Sequence, residues 1–177
     1  MRDAATAEID KTSLAVTRKV RDVTVLGLGN ILLSDDGVGV HVARKLAMNP
    51  GAPLGLRALD GGTLGFRLLD ALAQSDSVLI VDAALLGEPA GAMRLLERQE
   101  LEDHVSRNGR MSAHEAGLAD LLTLARLEGW VPAHLSLLGI QPQRIDWGET
   151  LSDAVAQTVP AACRVAIAKV LSWQAAA

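Results

Sequence analysis

The chain has 177 residues, of which 49% are hydrophobic and 21% charged, and its formal net charge is -4. This length fits one domain of roughly 100–200 residues, and the apolar share excludes a disordered chain. The mildly acidic charge argues against a nucleic-acid partner, and the single cysteine excludes an internal disulfide and cysteine-rich metal centres. We therefore expect a soluble, cytoplasmic protein.

The first twenty residues, Met1–Val20, differ in composition from the rest. They mix charged with small residues and lack the apolar middle region of a signal peptide. No apolar run in the chain reaches the roughly 20 residues of a membrane span, so we expect no membrane partner. The predicted organisation is a flexible leader over residues 1–21 and a single domain over residues 22–174.

The first half of the chain alternates between short apolar runs and amphipathic segments. Val23–Gly29 is an apolar run that ends in Gly, which is typical of a buried strand. Apolar residues then recur every four positions from Val38 to Leu46, which is typical of a helix. The same criteria predict a strand over Gly55–Leu59, a helix over Leu64–Ala73 and a strand over Ser77–Asp82.

The second half continues this alternation. Ala92–Leu96 is a candidate short strand, and the charged stretch Glu97–Arg110 is predicted to be surface loop and partial helix. Ser112–Leu127 is the clearest helix, because Ser112 and Glu115 form a capping box. The remaining predicted elements are a strand over Leu135–Ile140 and a long helix that opens at Thr150 and is kinked by Pro160. Together they predict a three-layer α/β/α fold with a mostly parallel sheet of about five strands and helices on both faces.

Polar clusters follow three of the predicted strands, where ligands bind in open α/β sheets. They are the segment Asn30–Asp36, the segment Asp60–Thr63 and Asp82. Asp82 could simply cap the next segment. Of the adjacent acids Asp35 and Asp36, one could cap the helix that follows, but two acids are more than a cap requires. We expect Asp36 to be the functional acid and Asp35 to be a capping or loop residue, whose replacement by Asn would cost about 1 kcal/mol.

Two other kinds of site are excluded at this stage. The turn Gly27-Leu28-Gly29-Asn30 is not a dinucleotide-binding loop, because Leu32 stands where the third glycine would be and two acids follow where a pyrophosphate would lie. A thiol nucleophile is also excluded, because Cys163 lies in the last helix, far in sequence from every polar cluster. We expect this cysteine to be a packing residue.

The chain has four histidines, which are His41, His104, His114 and His134. We expect the first two to be solvated, and the last begins a strand, where either a structural or a functional role is open. His114 falls in the first turn of a capped helix, where the helix dipole disfavours an imidazolium and leaves a neutral ring able to bind a metal. A histidine at a helix start is more often structural, but with Asp36 and Asp82 it would form a site of two carboxylates and one imidazole.

Four motifs resemble, in order and spacing, those of the [NiFe]-hydrogenase maturation proteases. They are Leu26–Val40 (LGLGNILLSDDGVGV), Asp60–Thr63 (DGGT), Val81–Ala83 (VDA) and Ser112–Leu118 (SAHEAGL). The resemblance extends over about Val23 to Trp173, and Gln141-Pro142 after the last strand is similar as well.

The resemblance implies an endopeptidase that removes the C-terminal extension from the precursor of a [NiFe]-hydrogenase large subunit after nickel insertion. The family's metal-contacting positions fall on Asp36, Asp82 and His114, which would act as both catalytic residues and metal ligands. The first of these positions is Glu in some members of the family. The nickel would be carried by the substrate and not held tightly by the free enzyme. The peptidase would be of the aspartic type or metal-assisted.

The two glycines of the second motif indicate a substrate-binding loop, because they leave main-chain N–H groups open to an extended peptide. A plain strand-to-helix turn capped by Thr63 is the alternative. The expected substrate-binding residues are Asn30, Asp60, Gly61, Gly62 and Thr63.

Two other functions are possible for a chain with these residues. A non-catalytic nickel-binding maturation chaperone on the same fold would need the three ligands but would hold the metal by itself. A hydrolase of amino acids or nucleotides is disfavoured, because the polar clusters offer no cationic site for a carboxylate or phosphate.

Overall fold

A computed structural model describes residues 22–63, 69–70, 73–97, 99–108 and 122–176. The elements in chain order are β1 (Val23–Leu28), a 3-10 helix (Ser34–Gly37), α1 (Val38–Ala47), β2 (Leu56–Gly62), β3 (Ser77–Ala83), β4 (Met93–Glu97), α2 (Gln99–Asn108), β5 (His134–Ile140) and α3 (Asp153–Ala175). The leader and most of the two helices predicted over Leu64–Ala73 and Ser112–Leu127 lie outside the described residues. The described part of the latter, residues 122–127, is helical.

The five strands form one sheet in the order β2-β1-β3-β5-β4. All pairs are parallel except β4 with β5, which is antiparallel. The short segment 84–92 between β3 and β4 contains no helix, and so short a connection does not suit a parallel crossover. The prediction of a mostly parallel five-stranded α/β sheet is confirmed.

The core lies on both faces of this sheet, because successive strand residues point to opposite sides. In β3, Leu79 and Val81 face the cluster that includes α1 and α3, whereas Val78 and Ile80 face the cluster with Leu101 of α2. Every residue of β1 and β3 is buried. Helices therefore cover both faces, as predicted.

The last helix differs from its prediction at its start. It begins at Asp153, with Ser152 as N-cap, and not at Thr150. It continues through Pro160 to Ala175, and the kink expected at Pro160 stays a prediction. Its 23 residues are also long and apolar enough to cross a membrane, which the search for apolar runs did not predict. Its contacts with α1, β3 and β5 are those of a core helix. The buried side chains of α3 are Val155, Val159, Ala162, Cys163, Ala166, Val170 and Trp173.

Two further boundaries differ from prediction. In the described part of the charged stretch after β4, Gln99–Asn108 form a helix, α2, where surface loop and partial helix were expected. β2 extends to Gly62 and not only to Leu59, because the pairing with β1 contains a bulge. Asp60 pairs with Gly27 and Gly62 pairs with Leu28, so that one extra residue, Gly61, is accommodated in β2.

Candidate functional site

The carboxyl ends of β1 and β3 carry the two predicted acids on neighbouring segments. Gly27 of β1 pairs with Val81 of β3, so Asp82 lies one residue beyond this pair, level with the end of β1. Asp36 lies on the 3-10 helix that follows β1, and this 3-10 helix contacts β3. The fold thus brings the segments of Asp36 and Asp82 together at one edge of the sheet.

Gly39 makes this close approach possible. A Cβ atom at this position would lie 2.1 Å from the carbonyl oxygen of Val81 and 2.4 Å from that of Leu28. Only glycine fits there, since any side chain would overlap both strands. The first turn of α1 therefore lies directly on the ends of β1 and β3, which fixes the preceding 3-10 helix against the strand that carries Asp82.

Asp36 is buried, with 4% of its surface exposed, and is oriented by the loop after β1. Its Oδ2 atom accepts a hydrogen bond from the N–H of Asn30 at 2.7 Å. Gly29 has φ +122°, and a Cβ there would lie 1.8 Å from the Asp36 carbonyl oxygen. The Asn30 Oδ1 atom accepts the N–H of Leu32 at 3.0 Å. Asn30 thus positions Asp36 through its main chain, and the substrate-binding role expected of Asn30 stays a prediction.

Asp82 is buried at the end of an apolar strand, with 2% of its surface exposed. Its Oδ1 atom accepts a hydrogen bond from the N–H of Ala83 at 2.8 Å. No helix follows β3 directly, so Asp82 is not a helix cap. Carboxylate oxygens are suitable ligands for a divalent ion, and this role of Asp36 and Asp82 stays a prediction.

The third predicted ligand, His114, lies outside the described residues, as does the capping box around it. Within the described ranges, no group of three His, Cys, Asp or Glu side chains is placed to hold a metal ion. The assignment of Asp36, Asp82 and His114 as catalytic residues and metal ligands is therefore still a prediction.

The other histidines are more buried than expected. His41 and His104 are both partly buried, which corrects the expectation of solvated side chains. Burial lowers the pKa of His41, and Arg44 acts in the same direction, whereas Asp60 opposes them. His134 stacks on Trp173 with 5.9 Å between the ring centroids, at the start of β5. His134 therefore lies at the amino ends of the strands, whereas Asp82 lies at their carboxyl ends, so His134 has a structural role.

Asp35 is fully buried, but it does not cap α1. Its Oδ2 atom accepts hydrogen bonds from the N–H groups of Gln143 and Arg144 at 2.9 and 3.1 Å. Both oxygens also accept hydrogen bonds from Ser152, the N-cap residue of α3. Asp35 lies in the 3-10 helix and not in a loop, and its carboxylate stabilises the loop after β5 and the start of α3.

The segment Asp60–Thr63 lies at the same edge of the sheet, at the end of β2. The Asp60 carboxylate is bound to Arg44 of α1, with an Nη2–Oδ2 distance of 2.8 Å, and accepts the Gly62 N–H at 3.0 Å. A Cβ at Gly61 would lie 2.9 Å from a methyl carbon of Leu28, whereas one at Gly62, which has φ +51°, would lie 3.9 Å from Asp60 Oδ1, an ordinary contact. Asp60 and Gly61 thus fix the end of β2, and Gly62 is less tightly packed than Gly61.

Sequence reasoning missed the residues that hold the loops of this edge together. Ser34 has φ +51° and donates its Oγ–H to Asp146 at 2.9 Å. The Oε1 atom of Gln141 accepts the N–H of Leu86 at 2.7 Å, which fastens the loop after β3 to the end of β5. Only the similarity at Gln141-Pro142 indicated this role, because the partners are far apart in sequence.

Comparisons with known proteins show which family this chain is similar to. The sequence model of a family described as hydrogenase maturation protease matches residues 40–169. The chain is 36% identical over 124 residues to the hydrogenase 2 maturation protease of Escherichia coli strain K12, with 70% of this chain and 75% of that protein covered. It is 32% identical over 156 residues to the hydrogenase expression/formation protein HupD of Rhodobacter capsulatus, with 88% and 74% covered.

Solved structures of hydrogenase maturation proteases are also similar to this chain. The hydrogenase maturating endopeptidase HybD from E. coli superposes with a TM-score of 0.77 at 32% identity, over 85% of this chain and 93% of that one. The [NiFe] hydrogenase maturation protease HybD from Thermococcus kodakarensis has a TM-score of 0.68 at 30% identity, over 82% and 96% of the two chains. The fold of this chain is similar to that of both proteins.

Proposed function

The chain belongs to the hydrogenase maturation protease family, and from this premise we propose that it removes the C-terminal extension of a [NiFe]-hydrogenase large-subunit precursor after nickel insertion. Family membership makes it an endopeptidase of hydrogenase maturation. The observation that carries the finer proposal is the pair of buried carboxylates, Asp36 and Asp82, on adjacent segments at the carboxyl edge of the sheet.

In this proposal, Asp36, Asp82 and His114 contact the nickel ion that the precursor carries. Carboxylate oxygens and a neutral imidazole nitrogen are suitable ligands for a borderline divalent ion, and the precursor's own ligands complete the coordination. The nickel belongs to the substrate, and its contact with the two carboxylates places the scissile bond at the sheet edge. Cleavage then depends on prior metal insertion.

Hydrolysis needs an activated water molecule. A carboxylate that acts as general base takes a proton from water, the oxygen attacks the peptide carbonyl, and the C–N bond breaks as the proton passes to the leaving amine. Polarisation of the water by the nickel of the substrate would supply the same nucleophile. The first route tolerates another divalent ion in the precursor, whereas the rate of the second route changes with the Lewis acidity of the ion.

The end of β2 supplies the second part of the proposal. Among the described strands, β2 is an outer strand of the sheet, and its end lies beside the loop that orients Asp36. The Asp60 carboxylate binds Arg44 and accepts the Gly62 N–H, and the Gly62 carbonyl accepts the Gly29 N–H. Recognition therefore uses main-chain groups of Gly61 and Thr63, and Gly62 shapes the surface over which the peptide passes. These groups suit an extended peptide such as the C-terminal extension of the precursor.

The test is cleavage of nickel-loaded and nickel-free precursor by the purified protein. The wild-type protein should cleave only the nickel-loaded precursor. Asp36→Asn, Asp82→Asn and His114→Ala should each reduce the rate by at least about a hundredfold, the low end of what a general acid or base contributes. Equal cleavage of both precursors, or a normal rate in all three variants, would contradict the proposal.

The chaperone alternative predicts a different outcome in the same experiment. A nickel-binding chaperone would be purified with one nickel ion per chain and would leave the precursor uncut. Elemental analysis of the purified protein and mass spectrometry of the precursor distinguish the two functions. We expect a metal-free protein that cleaves.

A further inference from the structure

Large apolar side chains are exposed on the loops at the carboxyl edge of the sheet. Leu32 follows β1 and is 43% exposed, and Ile145 and Trp147 follow β5 and are 47% and 83% exposed. We refer to these three side chains as the apolar rim. A single exposed apolar residue is ordinary, but a group beside a candidate active site marks an interaction surface.

The apolar rim stands on a fixed main chain. The N–H of Gly148 donates to the carbonyl oxygen of Leu32 at 3.0 Å, and the N–H of Ser34 donates to that of Gly148 at 2.8 Å. Leu33 and Gly148 thereby form a parallel β-bridge. Leu32 and Trp147 each precede a bridged residue, so they lie side by side on two joined segments.

The same segments are attached to the candidate site. Asp35 accepts the N–H groups of Gln143 and Arg144, just before the rim residues Ile145 and Trp147, and Asp35 is the neighbour of Asp36 in the 3-10 helix. The apolar rim and the acid of the site therefore have a constant spacing. The apolar rim therefore lies on segments bonded directly to the 3-10 helix that carries Asp36.

We infer that the apolar rim is the docking surface for an apolar segment of the large-subunit precursor next to the scissile bond, with Trp147 as its anchor. This inference rests on the proposed function. Tryptophan is enriched among the interface residues that carry most of the binding energy, and a rigid loop lowers the entropy lost on binding. A second copy of this chain seated here would cover the carboxyl edge and exclude the substrate. The occupant is therefore the precursor.

Trp147→Ala tests this inference, with Trp130→Ala as a matched control. Trp130 is also exposed, at 41%, but it lies on the segment that leads into β5, at the opposite edge of the sheet. We expect Trp147→Ala to raise the Kd for nickel-free precursor, which is bound without turnover, by at least about tenfold. With nickel-loaded precursor, KM should rise by a similar factor while kcat stays within about twofold. Trp130→Ala should change neither value by more than about twofold.

Three outcomes would overturn the docking inference. They are a Kd within twofold of wild type for Trp147→Ala, a fall in kcat with unchanged KM, and a wild-type dimer in sedimentation that Trp147→Ala dissociates. The proposed function fails by a different result, namely a wild-type protein that does not cleave nickel-loaded precursor. Even if the protein does not cleave the precursor, the Kd values of Trp147→Ala and wild type for nickel-free precursor still test the docking inference, because binding requires no cleavage.

Discussion

Ser152 donates two hydrogen bonds to Asp35, from its N–H to Oδ1 at 2.6 Å and from its Oγ–H to Oδ2 at 2.8 Å. The pair joins the 3-10 helix after β1 to the N-cap of α3. Its neighbour Asp36 accepts the N–H of Asn30 instead. The two adjacent acids thus bind different groups, since Asp35 holds the loops of the carboxyl edge in place and Asp36 is oriented by the loop after β1.

Asp35→Asn should lower the free energy of unfolding by about 2–4 kcal/mol, more than the 1 kcal/mol expected of a cap. An amide has the same shape as the carboxylate, but its NH2 group faces donors that need an acceptor. Hydrogen bonds to a buried charged group are also worth more than those to a neutral one. Urea denaturation of both proteins measures the difference.

Asp146→Asn is the control for this substitution. Its side chain is 57% exposed and accepts one hydrogen bond from the Ser34 hydroxyl, so its replacement should change stability by no more than about 0.5 kcal/mol. Where Asp35→Asn is still folded, it should cleave nickel-loaded precursor, whereas Asp36→Asn should not. The reverse pattern of activity would assign the functional acid to Asp35.

The fold was predictable because its strands are short apolar runs with polar or glycine boundaries. Such runs are local signals, and β1 and β3 both appear within one residue of their predicted ends. The end of β2 was not predictable, because the bulge at Gly61 depends on how β2 pairs with β1. The start of α3 was misplaced because the partner of Ser152 is Asp35, 117 residues earlier in the chain.

The candidate site was predictable only in part. Asp36 and Asp82 stand out because acids at the ends of apolar strands converge at one edge of a parallel sheet. The loop contacts of Asp35 span more than a hundred residues, so no local pattern indicates them. The exposure of Trp147 could not be predicted either, since a tryptophan in an apolar-rich sequence is equally compatible with the core.

Gly61 and Gly62 should respond differently to substitution, although both were expected to bind substrate. Gly61→Val should destabilise the fold by about 1–3 kcal/mol, because its Cβ would press on side-chain carbons of Leu28 and Leu26 at 2.9 and 3.0 Å. At Gly62 a Cβ would lie 3.9 Å from the Asp60 carboxylate, an ordinary contact, so Gly62→Ala should cost only about 1–2 kcal/mol for its left-handed backbone. Thermal unfolding of the two variants measures this difference.

Gly62→Ala is therefore the better probe of substrate binding at the end of β2. It should raise KM for nickel-loaded precursor while the protein stays folded, because a methyl group obstructs the approach of an extended peptide. Gly129→Ala, at a glycine with φ +73° on the segment that leads into β5 at the opposite edge of the sheet, is the control for the backbone cost alone. Equal KM values for both variants would show that the segment is only a turn.

Acid should destabilise the protein in part through His41. Burial holds the pKa of this ring below the ordinary value of 6.5, so the folded state binds fewer protons there than the unfolded chain does. The contribution of His41 to stability is therefore fully present above pH 6.5 and is lost as the pH falls through the folded-state pKa. His41→Gln should show a smaller loss of unfolding free energy between about pH 7.5 and 5.5 than wild type does.

NMR titration of the His41 ring separates the causes of this shift. Arg44 lowers the pKa and Asp60 raises it, and the two side chains bind one another. Asp60→Asn should therefore move the ring pKa further down, because it removes the carboxylate and leaves the Arg44 guanidinium without its partner. A ring that titrates at or above 6.5 in wild type would contradict the prediction, because the folded state would then lose no stability as the ring becomes protonated.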